Sequence, residues 1–82
     1  MAELKVTYSQ QADAAYIYFE DPARAGAPGT AAKTYPCDPI AVDGMINLDF
    51  DKEGRVIGIE ILDARSKFPS YLLDAAEHLD QG

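Results

Sequence analysis

The stretch Met45–Leu62, MINLDFDKEGRVIGIEIL, decides the fold. Ile46, Leu48 and Phe50 alternate with Asn47, Asp49 and Asp51, the period of two expected of a half-buried strand. Beyond Asp51-Lys52-Glu53-Gly54, Ile57, Ile59 and Ile61 alternate with Gly58 and Glu60. β-branched residues at this density favour strand over helix, because their stiff χ1 suits a pleated surface. The stretch therefore reads as strands over 45–50 and 55–62 joined by a hairpin. Asp51 at the first corner and Gly54 at the fourth suit a type I turn with Gly54 at positive φ.

Parity constrains the register. Cross-strand partners point to one face, so the Ile46/Leu48/Phe50 set must oppose the Ile57/Ile59/Ile61 set. A three-residue loop with Asp51 opposite Arg55 puts Leu48 opposite Gly58 and turns the isoleucines to the wrong side. A four-residue loop, Asp51 to Gly54, pairs Phe50 with Arg55, Leu48 with Ile57 and Ile46 with Ile59, and is the expected register. A two-residue Glu53-Gly54 loop is the alternative.

Upstream, Leu4-Lys5-Val6-Thr7-Tyr8 alternates as a first strand and Ala14 to Glu20 forms a second, apolar on both faces. Their short connection predicts antiparallel pairing. Asp21 to Thr30, DPARAGAPGT, reads as a flexible loop. A short strand over 31–35 is followed by a turn at Pro36-Cys37-Asp38-Pro39, and Asp43-Gly44 makes a second turn before the central hairpin. After Leu62 the period changes: Leu72, Ala75, Ala76 and Leu79 fall on one helical face, with Ser66 as a candidate N-cap and Pro69 in the first turn. The expected architecture is α+β. It consists of an antiparallel sheet of four or five strands (4–8, 14–20, 31–35, 45–50 and 55–62) with one C-terminal helix over about 69–80 on one face. Residues 1–82 make a single domain, small enough to bury only about 60% of its unfolded surface.

One short helix covers one face of such a sheet. Tyr16, Tyr18, Val56 and Leu62, beside the bare strip at Gly58, point to the other. An uncovered apolar face of that size marks an interaction surface, so self-association, as a homodimer, or a small protein partner is expected there.

Composition narrows the function classes. Nearly half of the 82 residues are hydrophobic, which indicates a globular chain. No stretch approaches the roughly 20 apolar residues of a membrane span, and no signal peptide is visible at the start. One cysteine fits a reducing compartment, and the cytoplasm is the expected location. The formal charge of −7, with seven scattered basic residues, argues against binding nucleic acid. An acidic surface aids solubility and suits a basic protein partner.

Asp49-x-Asp51-x-Glu53-Gly54, followed by Glu60, matches the spacing of an EF-hand calcium loop. That loop sits between helices, whereas both flanks here alternate as strands, so the carboxylates diverge and no metal is expected. Cys37 and His78 are the one thiol and the one imidazole. Nothing in the sequence brings them together, and no catalytic residues or cofactors are assigned. Asp13 and Asp63, each at the end of an element, read as capping or turn residues. Five tyrosines without a basic groove give no nucleic-acid platform.

Two blocks together resemble a known family. They are Tyr8-x-x-x-x-Asp13-Ala14-x-Tyr16-Ile17 and Ile46-x-Leu48-Asp49-x-Asp51-x-x-Gly54-Arg55-Val56-x-Gly58-Ile59-Glu60-Ile61-Leu62-Asp63-Ala64. Their order and content resemble the bacterial domain-of-unknown-function family numbered twenty-two eighty-three, over about two-thirds of the chain. Ser9-Gln10 stands where that family usually has Asp-Pro. The resemblance implies a cytoplasmic protein without an assigned activity, and the association of some members with small toxin-like proteins implies an antitoxin-like role. The reading is thus a non-enzymatic interaction module. One alternative is an antitoxin-like partner of a small basic toxin. Another is a small-molecule binder or minor enzyme near Cys37 and the 21–30 loop, where a long Gly/Pro segment offers room for a site.

Overall fold

The computed structural model of the chain describes residues 4–19 and 31–79. The loop expected over 21–30, Glu20 and the last residues of the expected helix lie outside them. The described residues form strands β1 (Lys5–Ser9), β2 (Ala14–Tyr18), β3 (Lys33–Pro36), β4 (Ile46–Phe50) and β5 (Val56–Leu62). Helices α1 (Ala64–Lys67) and α2 (Ser70–Ala75) and a two-residue strand β6 (Glu77–His78) follow. The strands make one sheet in the order β3-β4-β5-β2-β1-β6. Every pairing is antiparallel except β1 with β6, which is parallel. The fold is α+β with a mixed sheet, so the purely antiparallel expectation is corrected at this edge, and the strand count rises to six among the described residues.

The central hairpin keeps its expected turn and changes its register. The Gly54 N–H donates to the Asp51 carbonyl at 3.0 Å and Gly54 takes φ 82°, a type I turn ended by a left-handed glycine. The Asp51 N–H donates to the Arg55 carbonyl at 2.9 Å, so the loop holds three residues rather than four. Phe50 then pairs with Val56, but Asp49 pairs with Gly58, leaving Ile57 as the extra residue of a β-bulge. Past the bulge Leu48 faces Ile59 and Ile46 faces Ile61, the pairing of the two-residue alternative. The expected pairs Phe50–Arg55, Leu48–Ile57 and Ile46–Ile59 are thus corrected. The requirement behind them survives, since the bulge reverses the parity error of a three-residue loop and returns both isoleucine runs to one side.

The helical region departs most from expectation. Phe68 precedes Pro69, whose ring disfavours helical backbone at the residue before it; Phe68 is extended (φ −112°, ψ 146°) and α1 ends at Lys67. Ser66 lies inside α1 and bonds back to Asp63, while Pro69 is the N-cap residue of α2. The second helix stops at Ala75 because Ala76 turns extended and leads into β6, where Glu77 and His78 pair with Thr7 and Tyr8. Leu73 and Ala76 face inward in place of the expected Leu72/Ala75/Ala76/Leu79 stripe, and Leu79 is exposed. These two residues pack with Tyr8, Ala15 and Ala64 in a buried cluster, flanked by Val6 and Phe68.

Candidate interaction surfaces

The pairings divide the sheet into two unlike sides. On one, a row runs Thr34, Asp49, Gly58, Tyr18, Lys5, and beside it Pro36, Asn47, Glu60, Tyr16, Thr7. Gly58 has no side chain, and the Tyr16 ring lies over it and reaches diagonally to β4, where its hydroxyl donates to Asp49 Oδ2. Thr34 Oγ1 donates to Asp49 Oδ1 at 2.5 Å, and Asn47 Nδ2 donates to Glu60 Oε1 at 2.9 Å. The Tyr16 and Tyr18 rings stand 4.4 Å apart, tilted by 43°, and Lys5 Nζ sits 5.5 Å from the Tyr18 centroid. Tyr16, Tyr18 and Leu62 are half-buried here, and the strip expected to be bare at Gly58 is filled by Tyr16. Val56, placed with this group by alternation, pairs across from Phe50 because of the bulge.

The opposite side is almost wholly apolar. One row, Ile46, Ile61, Ala15, Tyr8, adjoins the helices, and its last three members are buried. A second row, Tyr35, Leu48, Ile59, Ile17, Val6, crosses five strands. Leu48, Ile59 and Ile17 are half-buried and lie outside the core cluster, and Tyr35 is 57% exposed. Phe50, Val56 and Phe19 extend this surface towards the hairpin end, the last two exposed. The helices are too short to span both rows.

A polar junction ties the first hairpin to the end of β5. Asp13 is left-handed (φ 52°), which its short polar side chain tolerates. Its Oδ1 accepts from the Tyr8 hydroxyl at 2.9 Å and the Arg65 N–H at 3.0 Å, and lies 3.4 Å from Arg65 Nε. Its carbonyl accepts the Ala64 N–H at 2.9 Å. Burial pushes the Asp13 carboxyl up, but the Tyr8 hydroxyl and the Arg65 N–H and guanidinium together outweigh it and hold it below the ordinary carboxylate range. Asp13 therefore caps a helix 52 residues away in sequence, the kind of role its position suggested.

The acidic hairpin distributes its carboxylates among separate partners. Asp49 and Glu60 are engaged on the tyrosine side, while Asp51 Oδ1 accepts the N–H groups of Glu53 and Arg55 and its Oδ2 meets Arg55 Nε at 2.8 Å. The Arg55 N–H, against the upward push of burial and with help from the guanidinium, lowers the Asp51 carboxyl. Lys52 is exposed, and Glu53 lies 3.7 Å from Arg55. Cys37, half-buried, donates its N–H to Ile46 beyond β3 at one edge of the sheet. His78 lies on β6 at the other edge, where its Nε2 donates to the Leu73 carbonyl at 2.9 Å and its ring meets Tyr8 edge-on. The sheet order holds the thiol and the imidazole on opposite margins.

Two residues that organise these surfaces, Arg65 and Asp49, carry no local pattern that names their partners. The usable signal is Gly58, since a glycine within a strand marks a place where another group approaches closely. Residues 5–65 match the family described as protein of unknown function (DUF2283). No curated protein and no solved structure matches the chain.

Proposed function

Since this chain belongs to the DUF2283 family of proteins of unknown function, which hands down no activity, we propose that it works by protein–protein contact, as a non-enzymatic module that self-associates. The observation that supports this is the apolar row Tyr35, Leu48, Ile59, Ile17 lying outside the helix-covered core. Burying such surface is favourable by about 25 cal/mol per Å², and contiguous apolar patches on soluble proteins mark contact sites. The sheet edges are poor alternatives. β3 has four residues and ends in Pro36, which donates no ladder bond, and β6 has two. The tyrosine side, with Tyr16, Tyr18, Gly58 and Leu62, offers a second and more polar contact surface.

Sedimentation velocity across a hundredfold dilution series tests the reading. The expected result is a monomer–dimer equilibrium that Tyr35→Glu shifts to monomer without lowering the melting temperature. A wild-type chain that stays monomeric at the highest concentration overturns it.

An antitoxin-like role, with a small basic toxin as partner, is a second reading that the net charge of −7 favours. A cytoplasmic setting belongs with either reading. No helix among the described residues is long and apolar enough to cross a membrane.

A further inference from the structure

We propose that the tyrosine side of the sheet docks a basic segment of a partner protein by receiving an arginine between the Tyr16–Tyr18 pair and the carboxylates of Asp49 and Glu60. Three observations lead there. First, Asp49 and Glu60 are half-buried and their hydrogen bonds come from neutral groups, the hydroxyls of Tyr16 and Thr34 and the amide of Asn47. Neither has a cation partner among the described residues, unlike Asp13, Asp43, Asp51, Glu53 and Glu77, each of which lies within ion-pair distance of a lysine or arginine. Second, the two tyrosine rings are held in a tilted pair beside those carboxylates. Third, the chain's own Lys5 ammonium already stands over Tyr18, so this ring is turned to receive a cation on its face.

The chemistry selects arginine. A guanidinium stacks flat on an aromatic ring while its N–H fork meets a carboxylate, whereas an ammonium acts as a hydrated point charge. The charge of the whole chain, −7, attracts a basic segment from a distance, and the uncompensated pair fixes where it lands. This inference rests on the protein-contact reading, but it uses the other side of the sheet and so stands or falls separately from the dimer.

The test is an amide NMR titration of the full chain with hexa-arginine, set against hexa-lysine at equal ionic strength. The expected result is shifts centred on Tyr16, Tyr18, Asp49, Gly58 and Glu60, with hexa-arginine the tighter ligand. Asp49→Asn with Glu60→Gln weakens binding, by roughly tenfold for each charge-assisted hydrogen bond that the variant can no longer form. Asp38→Asn with Asp63→Asn, two carboxylates elsewhere on the chain, leaves it unchanged. Asn at 49 keeps a carbonyl for Tyr16 and Thr34; should that variant lose its dispersed spectrum, Glu60→Gln alone decides. Shifts spread over all acidic positions, equal affinity for hexa-lysine, or an unaltered constant in the Asp49/Glu60 variant each overturn the inference. So do concentration-dependent shifts of these same amides without peptide, which assign the surface to a second copy. A dimer by sedimentation with no localised peptide binding removes this inference and leaves self-association standing, and localised binding by a monomer does the reverse.

Discussion

Gly58 lies beneath the ring of Tyr16. A β-carbon at position 58 would stand 2.6 Å from the ring's Cζ and closer still to Oη and Cε1. The absent side chain is what lets a β2 tyrosine cross over β5 and bond a β4 aspartate, so three neighbouring strands share one contact.

Gly58→Ala is therefore expected to displace Tyr16 and destabilise the fold by about 1–3 kcal/mol, the usual cost of overpacking. In a Tyr16→Ala background the sign reverses. The site is then open, and alanine gains about 0.5–1 kcal/mol over glycine within a strand. Urea denaturation of the four chains measures both values, and a cost independent of Tyr16 refutes the contact.

Gly54 has nothing within 4 Å of where a side chain would begin, so any effect of substitution there comes from its backbone at φ 82°. Gly54→Ala is expected to cost about 1–2 kcal/mol, the penalty for an L-residue in the left-handed region. Gly54→Asn costs less, because asparagine tolerates that conformation. Equal midpoints for the two variants in denaturant would contradict this.

Acid should weaken the fold through Asp13 and Asp51. Both carboxyls are lowered in the folded chain relative to their ordinary value of 3.8. Between the folded and unfolded values the unfolded chain binds more protons, so stability rises with pH in that window. The contribution is complete above about pH 4 to 5 and is lost as pH falls through the folded values. Asp13→Asn keeps an acceptor for the Arg65 N–H but removes the titration. Its urea midpoint should be lower at pH 7 and fall less steeply between pH 5 and 2 than that of the wild type.

His78 anchors β6 through its bond to the Leu73 carbonyl and its edge contact with Tyr8. His78→Ala is expected to cost about 1 kcal/mol, the net value of one hydrogen bond. It should also speed hydrogen exchange at Leu79, whose N–H donates to the Tyr8 carbonyl at 3.0 Å. Unchanged protection of that amide would detach His78 from the ordering of the edge.

The strands are legible in the sequence because alternation is local. Leu4 to Tyr8, Ala14 to Glu20 and Met45 to Leu62 each declare a period of two, and the observed limits differ from the expected ones by at most two residues. The register is not legible, because it depends on a bulge that leaves no composition of its own. What the residues do contain is the conflict the bulge resolves: a turn that fits three residues beside isoleucines that reject odd parity. The helix misleads for a related reason. Spacing at Leu72, Ala75, Ala76 and Leu79 satisfies a helical face, but pairing with β1 draws Glu77 and His78 into the sheet from about 70 residues away. The contacts of Tyr16 with Asp49 and of Asp13 with Arg65 are likewise long-range, 33 and 52 residues apart. A linear pattern reports which residues are apolar at a given period. It does not report which distant strand will lie beside them.

The extra residue at Ile57 gives the hairpin a kind of reading frame. Losing that residue alone would flip everything after it, exposing three isoleucines and hiding a glutamate. Losing it while gaining one residue between Lys52 and Gly54 would restore the frame, with Leu48 again beside Ile59 and Ile46 beside Ile61 across an uninterrupted ladder. An insertion and a deletion a few positions apart, each ruinous by itself, should cancel in this hairpin as they do in a coding sequence.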